Sequence, residues 1–106
     1  MSDRLAAARA YVARKPTDRF GLFALAMELR KARAWDECFP AFESLLAAHP
    51  DYGAGYYHYG VSKRESGDFD GARVILERGL AACARSGDNH TLSEIQGAIE
   101  DIDLLS

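Results

Sequence analysis

Cysteine and proline are scarce in this chain, basic charge is not in excess, and no apolar run is long. The two cysteines, Cys38 and Cys83, sit inside apolar helical patterns rather than in a spaced disulfide framework, which fits a reduced, cytoplasmic setting. Thirteen Lys and Arg against sixteen Asp and Glu give a net charge of −3. A nucleic-acid or anionic-membrane partner asks for a basic face, so neither is expected. No stretch approaches the roughly 20 apolar residues that span a bilayer, and the first nine residues hold no apolar signal core. His49, His58, His90 and the two cysteines lack metal-ligand spacing. Phosphate loops and nucleophile elbows are absent too, and Glu94 with Glu100 is a helical surface pair rather than a catalytic dyad. No enzyme, metal or cofactor is therefore expected. Apolar residues at 48% and charged residues at 27% describe a single soluble globular domain rather than a disordered chain.

What the sequence does have is helical periodicity from end to end, with no convincing strand. Six helices are predicted. Leu5, Ala8 and Val12 form a stripe over 3–15, which Pro16 ends. Thr17 or Asp18 caps a second helix running to about Arg33, with Leu22, Leu25, Ala26 and Leu29 on one face. The third runs from a cap at Asp36 to His49, with Pro40 giving it a late or slightly bent start. Pro50-Asp51-Tyr52-Gly53 is a turn, and the fourth helix, Ala54 to Ser66, stops at Gly67. Asp68 or Asp70 caps the fifth, which reaches about Arg85 before Gly87. The last, 88–105, carries Leu92, Ile95, Ile99 and Ile102, with Asp88 or a Thr91–Glu94 capping box at its start.

The helices recur in pairs. Trp35 and Phe69 lie 34 residues apart, and the same step carries Leu22 to Tyr56, Leu25 to Tyr59, Ala26 to Gly60, Cys38 to Ala72, Phe42 to Leu76 and Glu43 to Glu77. A fixed period of this length marks stacked copies of one supersecondary unit. Each unit cannot bury its apolar face alone, so copies pack together and leave an extended surface for a partner. Leu22, Leu25, Ala26 and Leu29, then Cys38 and Phe42, then Pro50 make the first copy. Tyr56, Tyr59, Gly60 and Lys63, then Ala72 and Leu76, make the second. On these residues the chain resembles the tetratricopeptide repeat family, over about residues 17 to 85, and its size is similar to that of short stand-alone bacterial members. Three positions depart from the family pattern. Lys63 stands where an aromatic is usual, and its stem is expected along apolar surface with the ammonium in water. Gly79 stands where a small alanine would help the helix, and Ala84 where a proline would end the repeat.

The resemblance implies an all-α fold: a right-handed α-α superhelix of two helical hairpins, at 17–50 and 52–85, flanked by an N-terminal helix and a C-terminal capping helix. It also implies a non-catalytic protein–protein interaction module that takes a peptide or protein segment in a concave groove lined by the first helix of each pair. Carried onto this chain, the groove positions are Phe20, Phe23, Met27, Arg30 and Lys31 in the first copy and Ala54, Tyr57, His58, Val61, Arg64 and Glu65 in the second. Phe23 and Tyr57, Met27 and Val61, and Arg30 and Arg64 repeat an aromatic, an aliphatic and an arginine at the same 34-residue step. The expected ligand anchors apolar side chains there and offers a carboxylate to arginine. In the competing reading these apolar residues pack on the terminal helices. Phe23, Met27 and His58 stand where some members of the family place the clamp that grips chaperone C-termini, and cannot form it. Self-assembly into a homodimer, suggested by Leu104, Leu105 and the alanine-rich first helix, is the alternative function. Single-stranded RNA is disfavoured by the net acidity.

Overall fold

Helices α1 (Asp3–Arg14), α2 (Arg19–Lys31), α3 (Trp35–Ala48), α4 (Gly53–Glu65), α5 (Phe69–Ser86) and α6 (Asn89–Leu105) follow one another without a strand among the described residues. The structure, a computed structural model, describes residues 3–105. The outermost positions of the expected domain, 1, 2 and 106, lie outside the described residues. The chain forms two compact units that divide between His49 and Pro50.

In the first unit α2 packs against α1 on one side and α3 on the other. Leu22, Ala26 and Leu29, spaced for one helix face, are buried against Cys38, Phe42, Leu45 and Leu46, while Leu5 and Ala8 of α1 complete the core. Each fully buried large side chain here contributes about 1.5–3 kcal/mol of transfer free energy. Ala26 is small because α3 comes close: the Cys38 thiol donates to the Ala26 carbonyl at 3.5 Å. At Gly21 a Cβ would stand 2.5 Å from the Tyr11 ring, so glycine lets α1 lie directly on α2. Two polar ties close the unit. Arg9 meets both oxygens of Glu37 at 2.8 and 2.9 Å, and His49 Nε2 donates to the Thr17 carbonyl at 2.8 Å.

In the second unit α4 and α6 both pack on α5 and touch each other. Tyr56, Tyr59, Ala72, Ile75, Leu76, Ala82, Cys83, Ile95, Ala98 and Ile102 form its core. The Tyr56 hydroxyl donates to the Pro50 carbonyl at 2.7 Å. Arg85 reaches back to Asp51 at 2.9 Å and to the Pro50 carbonyl at 3.2 Å. In both units, then, the far end of the second helix is tied to the turn that opens its hairpin.

The helix ends decide between the alternative caps. Asp18, not Thr17, caps α2 by accepting from the Gly21 N–H at 2.8 Å. Asp68, not Asp70, caps α5 through Gly71 at 2.8 Å, and Asp88 caps α6 through Thr91 at 3.1 Å. The expected cap at Asp36 is wrong. The cap stands two residues earlier, at Ala34, which makes no side-chain capping bond, and α3 starts at Trp35. The reason lies just upstream, where α2 ends in a tight double bond pattern: Ala34 N–H to Leu29 and Arg33 N–H to Arg30. That pattern needs a left-handed residue, and Arg33 supplies it at φ 56. The chain turns there so sharply that Trp35 already lies in the helix. Pro40 therefore falls in the second turn rather than delaying the start.

The same bond pattern ends α4, from Asp68 to Lys63 and from Gly67 to Arg64, with Gly67 at φ 92. Cys83 is fully buried within α5, which continues past Ala84 to Ser86. One further expectation changes. Gly79 is not a weak alanine position: a Cβ there would stand 2.6 Å from the Cβ of Tyr56 and 2.8 Å from Ile95. Glycine is what lets α4 and α6 approach α5 together.

Candidate functional site

The residues of the first unit expected to line a groove, Phe23, Met27 and Arg30, occupy successive turns of α2 and are all half-buried. Their spacing puts them on one stripe, offset from the Leu22–Ala26–Leu29 face that enters the core. In the second unit Tyr57, His58, Val61 and Arg64 are likewise half-buried on α4, offset from the buried Tyr56, Tyr59 and Gly60. The Tyr57 and His58 rings meet edge to face at 5.1 Å and 81°. Arg64 lies 4.0 Å from Asp101 of α6, so the terminal helix already offers this guanidinium a carboxylate. Lys63, whose ammonium was expected in water, instead lies 3.5 Å from Asp68 and 6.0 Å from the Tyr59 ring centre. Its charge is met within the hairpin.

Sequence reasoning missed a second feature. Between α1 and α2 runs an open cleft of about 310 Å³. Ala7, Ala8 and Tyr11 form one wall, Phe20 and Ala24 the other, and Arg4 with Glu28 close one end. Phe20 is 76% exposed. A signal was present in the alanines of α1 and in Gly21, but it needs the crossing of the two helices to become a cleft. Beyond Arg4 and Glu28 a further depression of about 420 Å³ continues to Lys31 and Asp3.

Chemistry-bearing groups elsewhere are dispersed. No three His, Cys, Asp or Glu side chains gather around a common point among the described residues, and no described helix is long and apolar enough to cross a membrane. Burial pushes the Cys83 thiol up from its ordinary value, and the nearby Asp88 carboxylate adds to the effect. That thiol is held protonated, the opposite of a reactive cysteine. Asp88 itself is held below the ordinary carboxylate value by the Thr91 hydroxyl and backbone N–H.

No protein-family model matches the chain, and no curated protein does. Solved structures do. A tetratricopeptide repeat domain protein from Salinibacter ruber, in its solution structure, superposes with a TM-score of 0.78 at 31% identity, over 86% of this chain and 92% of that one. The chain belongs to the tetratricopeptide repeat family. The crystal structure of a Salinibacter ruber tetratricopeptide repeat domain protein agrees, with a TM-score of 0.74 and 30% identity over 84% of this chain and all of that one. A Bordetella parapertussis protein solved in solution shares the fold, at a TM-score of 0.81 and 24% identity over 97% of this chain and 90% of that one. Within the tetratricopeptide frame α2–α3 and α4–α5 are the two hairpins. α1 stands in the register of a second helix, since its last residue, Arg14, lies 34 residues before Ala48, the last of α3. α6 stands in the register of a first.

Proposed function

We propose that this tetratricopeptide repeat chain is a non-catalytic binding module for a peptide or protein segment, contacted by Phe23, Met27 and Arg30 of α2 and by Tyr57, His58, Val61 and Arg64 of α4. One observation carries the reading. The aromatic–aliphatic–arginine triplet that repeats along the sequence stays half-buried on both helices, apart from the residues that fill each core. Half-burial suits a binding row: the side chains are held in place by their own helix bundle, yet keep surface to give a partner. The contact of Arg64 with an exposed Asp101 suggests what the partner brings, a carboxylate that takes the place of Asp101. The modest net acidity of the chain supports protein rather than nucleic acid or membrane as partner, and two reduced, buried thiols suit the cytoplasm.

The test is an affinity capture from the host's lysate with wild type and with a Tyr57→Ala, Arg64→Ala double variant of matched helicity. Capture by wild type alone supports the reading. Equal capture by both overturns it. A Asp101→Asn variant sharpens the result, because removing the competing carboxylate should tighten binding of the same partner several-fold.

A further inference from the structure

We infer that the cleft between α1 and α2 receives helix α6 of a second copy of this chain, so that copies associate head to tail. The repeat register points to this occupant. In the second unit α4 lies on α5 with Gly60 against Leu76, where a Cβ on the glycine would stand 2.5 Å from the leucine side chain. The step that takes Leu76 back two periods arrives at Ala8, and the step that takes Gly79 back arrives at Tyr11. Both line the cleft. The cleft thus presents, on α1, the face that α5 presents to its first helix. No described helix covers it, and Phe20 at its edge is 76% exposed.

In the second unit, α6 is a first helix whose corresponding face has no described helix on it. One period on from Lys63 stands Gly97, where a Cβ would meet no atom within 4 Å, and one period on from Gly60 stands the exposed Glu94. The two segments carry opposite net charge, although Asp101 and Asp103 of α6 already meet Arg64 and Arg73 within their own unit. The segment up to Arg33 carries eight Arg and Lys against three acidic residues, whereas α6 carries four acidic residues and no Lys or Arg. Opposite net charge favours α6 over a second α1 or α2 as the occupant. The α6 that enters the cleft comes from another copy, because within its own unit α6 is packed on α4 and α5. Leu104 and Leu105, 85% and 65% exposed, lie on the same helix and lose water when it docks. Such a contact uses two different surfaces, so it is heterologous and either closes into a ring or grows into longer assemblies.

Two surface variants separate the faces without disturbing the fold. Ala7→Glu puts a carboxylate into the cleft at an exposed helical position. Gly97→Arg puts a bulky cation on the docking face of α6, in open space and with better helix propensity. Sedimentation velocity of the wild type should show the mass rising from 11.7 kDa toward twice that or more over roughly 10 µM to 1 mM, and less steeply in high salt. Each variant alone should remain monomeric. Mixed, they should form a one-to-one dimer and nothing larger, since one keeps an intact α6 and the other an intact cleft. A wild type that stays monomeric throughout overturns the inference. So does association that survives either variant, or a mixture that stays monomeric, which would indicate a symmetric contact or another occupant of the cleft.

Discussion

Arg33 and Gly67 do the same work one period apart, at φ 56 and φ 92, and only one of them is suited to it. A side chain with a Cβ in the left-handed region costs about 1 kcal/mol or more, and Arg33 recovers part of this by lying over the Trp35 ring at 5.3 Å. Comparing Arg33→Gly with Arg33→Ala removes the ring contact from both. The glycine variant should then be the more stable by about 1 kcal/mol in urea unfolding. Glycine has the opposite value where helices cross. Gly79→Ala should destabilise by about 1–2 kcal/mol, because the Cβ of Tyr56 is fixed to its backbone and cannot rotate away. Gly97→Ala, with open space around it, should stabilise by up to about 1 kcal/mol. A sequence shows both as glycines within helices. Propensity is a local property, and whether another helix stands 2.6 Å from the absent Cβ is not.

At the scale of elements, most of the fold was legible. Apolar spacing placed all six helices to within about two residues, because burying one face per helix leaves that pattern whatever the turns do. The caps were less legible. Three aspartates had neighbours that qualified equally well, and Asp36 lost its expected role to an alanine because the strained turn at Arg33 set the starting point. Asp88 shows what such a cap does for its helix. Its carboxylate is held below the ordinary value by Thr91, so its contribution is complete above the unfolded-state pKa and disappears as pH falls through the lower folded-state pKa. Asp88→Ala should lower the urea midpoint at neutral pH. Asp88→Asn, which still caps, should keep most of it and flatten the acid limb of the stability profile relative to wild type.

For the molecule as a whole, the two triplets on α2 and α4 were legible because they obey the same period as the core. The cleft was not, since it depends on how α1 crosses α2 over Gly21. The two surfaces separate in their response to variants: Tyr57→Ala with Arg64→Ala should abolish partner capture while leaving sedimentation unchanged, and Ala7→Glu should do the reverse. One feature of the cores reaches further. Each compact unit buries a single thiol, Cys38 in the first and Cys83 in the second, both fully covered. The protein thereby carries one internal clock per unit. Under native conditions an alkylating reagent can mark a thiol only when its own unit opens, so peptide mass mapping of the two sites over time yields two opening rates from one sample. Equal rates would mean that the repeats breathe together as one cooperative body, and unequal rates would show which hairpin lets go first.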